Sequence, residues 1–337
     1  MFVNQDPYQN NIRRWLLLMF FLIILIIAVG GLTRLTDSGL SITEWELFKG
    51  VFPPFTSDKW NFYFNEYKQI PEFKSINYDM TLSEFKVIFY WEYFHRLIAR
   101  LIGLFALIPL IIISLIYKKK IISNFKYLSI FLLICIQGIV GWYMVTSGLV
   151  NNTDVSHYRL ALHLSIALII LSINFWFILE TFKISSFKIK FSNFFLNIFL
   201  VLIILQIILG AFLAGMDGGL IYNSWPDMNG NFVPNDINYI DLFLFSSLDN
   251  PSVIQFYHRI TAYLLIIFLI FLNYFTFKTN SFSKAILILD IAILLQIILG
   301  ILTLITGVKI AYASLHQLGS VFVLTSFLYI KYKNIIN

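Results

Sequence analysis

Charge is scarce in this chain. Only 12% of its 337 residues are Asp, Glu, Lys or Arg, while 59% are apolar. A soluble domain carries about a quarter charged residues and under half apolar ones, so this shortage excludes an ordinary water-soluble globule, and lipid is the solvent for most of the chain. Cysteine is nearly absent. Cys135 is the single thiol, inside the apolar run Tyr127–Trp142, so there is no intrachain disulfide and no C-x-x-C metal or redox pair. Redox chemistry, if any, must come from a cofactor or a partner. No G-x-x-x-x-G-K-[ST] phosphate loop is present, which removes the usual energy source of an exporter. The net charge of +6 is not a nucleic-acid footprint, because the basic residues sit between apolar segments, where membrane orientation explains them.

What is abundant is long apolar runs. A span needs roughly 20 mostly apolar residues. Eight stretches qualify: about Trp15–Leu35, Val87–Tyr117, Phe125–Ser147, His157–Phe182, Asn193–Gly215, Ser252–Phe277, Ala285–Gly307 and Ala311–Ile330. The first follows Arg13-Arg14. It is longer than the roughly 7–15 residues of a signal core and no A-x-A cleavage site follows, so it is expected to be a retained helix. One set of connections holds Arg13, Arg14, Lys118, Lys119, Lys120, Lys126, Lys183, Lys188, Lys190, Lys278, Lys284, Lys331 and Lys333. The opposite set is long twice (about 36–86 and 216–251) and mixed in charge. The positive-inside rule then puts both termini in the cytoplasm and both long loops outside, in a bacterial inner (plasma) membrane.

The sequence also repeats. Asp37-Ser-Gly-Leu40 with Trp45 matches Asp217-Gly-Gly-Leu220 with Trp225, and Pro53 and Pro234 follow. Glu92-Tyr-Phe-His95-Arg96 matches Gln255-Phe-Tyr-His258-Arg259, and Leu162-His163 matches Leu315-His316. Each copy holds four spans, an even number, so both copies start on the same side. The expected fold is an all-α membrane protein, two four-helix repeats related by a pseudo-two-fold axis along the membrane normal. The expected halves are residues 1–185 and 186–337.

Four of the five histidines, His95, His163, His258 and His316, occupy equivalent places on the even-numbered spans. Ionisable residues inside a membrane are costly and mark function by default. One such histidine is more often packed; four in matched positions favour ligation. Zinc wants a tight tetrahedron of N and S donors, often with a carboxylate. Haem takes axial histidines from facing helices, and two histidines per half suit a bis-histidine haem twice over. His157 has no counterpart and lies about 240° round the helix from His163 at 100° per residue, so it reads as a helix-end polar residue.

Glu92 lies three residues before His95 on one helix face, where the second copy has Gln255. Gln keeps the shape but cannot exchange a proton. The first half therefore reads as the reactive site, with Glu92 as acid or base, and the second as a permanent cofactor site. Arg96 and Arg259 follow the first histidine of each pair and are candidates for haem propionates, with helix-end pairing as the alternative. Asp37 and Asp217, beside their glycines, read as turns just outside a span.

These residues together resemble the haem A synthase family. The resemblance runs through Gly30-Gly-Leu-Thr-Arg-Leu-Thr-Asp-Ser-Gly-Leu40 with Thr43-Glu-Trp45, Glu92-Tyr-Phe-His-Arg96, Tyr158-Arg-Leu-Ala-Leu-His163, Phe256-Tyr-His-Arg259 and Leu315-His-Gln317. It covers nearly the whole chain and is nearest the proteobacterial and mitochondrial group. Other bacterial members carry a cysteine pair in the outer loop, and this sequence has none. The resemblance implies that haem O is the substrate and that its ring methyl is oxidised to a formyl group, giving haem A for terminal oxidase assembly. It further implies that His258 and His316 hold a resident haem b. His95 and His163 would flank or ligate the substrate iron, with Glu92 the essential acid. Expected partners are haem O, membrane lipid, a haem O synthase, cytochrome oxidase assembly factors and an electron acceptor. The rival readings are a dihaem b-type electron-transfer cytochrome, which leaves both haems unchanged, and a haem carrier without chemistry.

Overall fold

The computed structural model describes residues 6–45, 49–118, 121–150, 152–187, 190–279 and 283–336. Among these the regular structure is helical, with one isolated bridge between Met228 and Asn231. Ten α-helices follow in order: α1 (Pro7–Leu35), α2 (Ser57–Tyr67), α3 (Pro71–Ser75), α4 (Leu82–Ile116), α5 (Ile121–Val145), α6 (His157–Glu180), α7 (Asn193–Gly215), α8 (Pro251–Lys278), α9 (Lys284–Ile305) and α10 (Ile310–Ile335). Eight of them, all except α2 and α3, are long and apolar enough to cross a membrane. The chain is an all-helical multi-pass membrane protein.

Helix starts follow their caps. α1 begins eight residues before the apolar run, because the Asp6 side chain accepts from the Tyr8 amide and Pro7 opens the helix. α4 begins five residues before its apolar run: the Thr81 hydroxyl accepts from the Glu84 amide and the Glu84 carboxylate accepts from the Thr81 amide. At 35 residues α4 exceeds what a bilayer needs. Its extra turns serve a small layer that the sequence reading leaves as plain loop. Leu40, Ile42, Trp60, Phe64, Tyr67 and Ile70 close on Phe85, Phe89 and Tyr93 of α4 in one buried cluster. As a result His95 lies thirteen residues into its helix, whereas His163, His258 and His316 lie six or seven residues into theirs.

The chain divides into two compact units, residues 1–174 and 175–337, with the division inside α6. In the first, α1 lies along α4 and α4 along α5. The Trp15 indole donates to the Phe105 carbonyl (2.8 Å) and the Tyr8 hydroxyl to Asn124 Oδ1 (2.6 Å). In the second, α7 pairs with α8 and α9 with α10, and α10 also meets α7. Asn334 of α10 ties down the Phe191 amide (2.7 Å). Asp37 and Asp217 end α1 and α7 in the left-handed region, at φ 47° and 49°. Asp is one of the few side chains that tolerates that conformation, so both act as the turns their positions suggested.

Candidate functional site

Each paired histidine rests on a glycine of the span before it. A Cβ added at Gly141 of α5 would meet His163 Cε1 at 2.9 Å, one at Gly210 of α7 would meet His258 Cε1 at 3.2 Å, and one at Gly300 of α9 would meet His316 Cε1 at 2.9 Å. At Gly30 of α1 the nearest atom is His95 Nε2, at 3.1 Å. Any larger residue would crowd the ring, so these four glycines fix how closely imidazole and neighbouring helix approach. His163, His258 and His316 turn the Cε1–Nδ1 edge to the glycine; His95 turns the Nε2–Cδ2 edge. A half-turn of the ring exchanges these edges, so His95 has the same seat with the opposite facing.

The ring centroids of His258 and His316 are 6.4 Å apart, with planes at 74°. Two imidazoles that ligate one metal from opposite sides, each at about 2 Å from nitrogen to metal, have centroids roughly 6 Å apart. The second pair therefore has the spacing of trans ligands. His95 on α4 and His163 on α6 are the corresponding residues of the first unit, each seated on its own glycine. Among the described residues no three His, Cys, Asp or Glu side chains gather as a metal cage. Two facing imidazoles without further ligands fit a metal that arrives with its own equatorial donors, as a porphyrin iron does. Buried polar atoms agree: Nδ1 of His163, His258 and His316 has no hydrogen-bond partner among the described residues.

Beside these rings stand three glutamines that the sequence reading missed. Gln137 Nε2 lies 3.2 Å from His163 Nε2 and donates to the His163 carbonyl at 3.0 Å. Gln206 Nε2 lies 3.1 Å from His258 Nε2. Gln296 Nε2 donates to the His316 carbonyl at 2.9 Å. Each stands four residues before its glycine, on the same helix face. The signal was the recurring Gln-x-x-x-Gly at 137–141, 206–210 and 296–300. The first span has Ile26 before Gly30 instead.

Glu92 is buried and fully engaged. Its carboxylate accepts from the Ser41 hydroxyl (2.7 Å), the Ile42 amide (2.8 Å), and Arg96 Nε (3.0 Å) and Nη2 (2.7 Å). Arg96 also donates to the carbonyls of Ile42 (2.7 Å) and Glu44 (2.9 Å). These bonds make Glu92 the knot that ties the connection after α1 to α4. The second unit ties the same knot differently. Gln255 donates to the Tyr222 carbonyl (3.0 Å), and Arg259 donates to the carbonyls of Tyr222 (3.1 Å) and Asp227 (2.8 Å). Arg259 Nε is buried with no partner among the described residues. His157 opens α6 with its ring against Tyr158, 4.1 Å between centroids.

One more buried carboxylate lies in the layer above α4. Glu72 of α3 is 5% exposed, and its Oε2 has no hydrogen-bond partner among the described residues. Burial first, then the charges of Asp154, Asp37 and Glu92, push it up from 4.5 to about 8. On the second loop, Asp227 is held below its ordinary range by the Gly230 amide and the Ser224 hydroxyl.

Eight apolar helices and an imidazole pair at the spacing of trans ligands define a multi-pass membrane protein with a site whose residues fit a porphyrin iron. Comparison with known proteins narrows the class. The family model described as cytochrome oxidase assembly protein matches residues 13–328. A protein of Pelagibacter ubique named Heme A synthase is 60% identical over 334 residues, covering 99% of both chains. Proteins of the same name from Rickettsia bellii and Rickettsia prowazekii are 42% and 40% identical, covering 94% and 97% of this chain and 96% and 99% of theirs. The chain belongs to the haem A synthase family of cytochrome oxidase assembly proteins.

Proposed function

We propose that this protein is an oxidoreductase that converts haem O to haem A, oxidising one ring methyl through the alcohol to the formyl group, in a bacterial inner membrane with both termini cytoplasmic. The observation that carries the reading is the glycine-seated His258–His316 pair at 6.4 Å, with His95 and His163 seated on glycines in the same way, within a chain 60% identical to a named haem A synthase. In this reading the second unit keeps a resident haem b on His258 and His316, and the first receives haem O between His95 and His163. The resident haem supplies electron transfer toward an outside acceptor. Delivery and removal of the pigment fall to a haem O synthase and to oxidase assembly factors.

The chain's own residues have three tasks. The glycines let each imidazole reach the ligation plane while the helices stay closely packed. Arg259, whose buried Nε has no hydrogen-bond partner among the described residues, offers an N–H that suits a propionate. Arg96 has its charge met by Glu92, so the first site is closer to neutral, and its carboxylate is the acid–base group nearest the substrate histidine. The small-residue contacts and apolar spans keep bulk water out, which strengthens these interactions.

Mass spectrometry of haems extracted from the purified protein tests this. Wild type should yield haem b with haem O and haem A. Glu92→Gln, which keeps one carbonyl acceptor for the Ser41 hydroxyl and Ile42 amide but cannot exchange a proton, should keep haem b and lose nearly all haem A. Haem A at wild-type level in that variant removes the role given to Glu92. Pigments left chemically unchanged in wild type would favour a dihaem electron-transfer cytochrome.

A further inference from the structure

The connection between α7 and α8 leaves its aromatic side chains uncovered. From Leu242 to Leu248 it carries no charge. Residues 237 to 248 are all described, and of their apolar side chains none is buried. Phe243 is 88% exposed and Phe245 83%, with Tyr239, Ile240 and Leu244 exposed beside them. Single exposed apolar residues are normal on a protein surface, whereas a run of them marks a contact with something outside the chain. The first unit spends its aromatics differently: Trp60, Phe64 and Tyr67 turn inward and close on α4.

What covers the run follows from its level. α8 has 28 residues where a span needs roughly 20, so its ends reach the membrane surface. Two ties hold the connection against the second turn of α8 rather than beyond its tip. The Tyr257 hydroxyl donates to the Leu242 carbonyl, and the Phe232 ring meets the Phe256 ring edge-on, 6.1 Å between centroids. Leu242 therefore sits about 9 Å along α8 from its first residue. The polar part of the connection is fixed nearer the tip, where Asp236 accepts from the Ser252 hydroxyl in the first turn (2.6 Å). The level of Tyr257 is where apolar helix gives way to headgroups and aromatic side chains collect. The backbone there suits a dry solvent. The amides of Phe243, Leu244 and Ser247 donate to the carbonyls of Ile240 (2.9 Å), Asp241 (3.2 Å) and Leu244 (3.2 Å), so these turns keep their hydrogen bonds without water.

We propose that Tyr239, Ile240, Phe243 and Phe245 form an interfacial foot whose partner is lipid, at the boundary of headgroups and acyl chains on the side where α7 ends and α8 begins. This contact requires only that the chain spans a membrane and does not depend on the haem reading. Lipid covers apolar area without a matching surface, and the run offers no charge by which a protein partner would be selected. Through the Leu242–Tyr257 bond, the foot holds the depth of the turn that carries His258.

The test uses the full-length protein in nanodiscs of phosphatidylethanolamine and phosphatidylglycerol. Cys135→Ser removes the single native thiol. Phe243→Cys, Phe245→Cys or Asn235→Cys then places one nitroxide label, and power-saturation electron paramagnetic resonance compares collisions with oxygen and with a water-soluble nickel chelate. Labels at 243 and 245 should meet oxygen several-fold more than nickel, and the label at the exposed Asn235 position, beside Asp236, should show the reverse. Nickel access at 243 and 245 equal to that at 235 would put the run in water and overturn the proposal. Shielding of 243 and 245 from both reagents would show a protein contact, with a second copy of this chain, and would overturn it equally.

Discussion

The connection after α1 and the connection after α7 are tied down by matched pairs, Glu92 with Arg96 and Gln255 with Arg259, and the pairs differ by one charge. In both, the arginine donates to the same loop carbonyl, that of Ile42 at 2.7 Å and of Tyr222 at 3.1 Å. The carboxylate of Glu92 takes the Ile42 amide, while the amide of Gln255 gives to the Tyr222 carbonyl. One knot is a buried ion pair, with side chains 3% and 12% exposed. The other is a cation beside a neutral amide, with an N–H to spare. The same backbone task is thus met by two electrostatic designs. Only the second leaves a buried guanidinium N–H without a hydrogen-bond partner among the described residues, and only the first keeps a buried carboxylate on the histidine helix.

Removing the arginines should separate the designs most sharply. Arg96→Ala leaves Glu92 buried without its cation, a loss of about 3–5 kcal/mol. Arg259→Ala leaves only a neutral Gln255 and two carbonyls short of donors, about 1–3 kcal/mol. Thermal unfolding in detergent should therefore show the first variant clearly less stable than the second. Equal losses would mean that the ion pair behaves as an ordinary polar contact.

A smaller effect sharpens the comparison at the layer above α4, for which the second unit has no described counterpart. Glu72 is raised in the folded protein to about 8 from 4.5. The folded state therefore binds the proton more tightly, and its stability falls as pH rises between these values. Glu72→Gln mimics the protonated side chain. It should match wild type below pH 4.5 and exceed it by about 5 kcal/mol above pH 8. A difference between the two that does not change with pH would place the Glu72 carboxyl in solvent contact rather than in the buried cluster.

Much of the architecture was legible because lipid imposes a simple rule. Spans must be long, apolar and helical to satisfy their own backbone, and all eight appear where the apolar runs fall. The helix starts were missed by five residues at α4 and eight at α1, since a cap lies in polar sequence outside the apolar run. α2 and α3 were missed because they are short and are held by aromatic packing on α4 rather than by periodicity. The four histidines stood out through cost and recurrence. Their glycine seats and glutamines did not, because Gly and Gln in an apolar helix look like tolerated exceptions until a ring is seen against them. The bonds of Glu92 were hidden in part: two of its four donors, the Ser41 hydroxyl and the Ile42 amide, lie on the connection after α1, which spacing along α4 does not reveal, while the other two come from Arg96 four residues on.

The most direct measurement is low-temperature electron paramagnetic resonance of the ferric protein in wild type, His258→Ala and His95→Ala. A low-spin bis-imidazole signal that disappears in His258→Ala and survives in His95→Ala is the expected result. The same signal persisting in His258→Ala would contradict a resident haem held between α8 and α10.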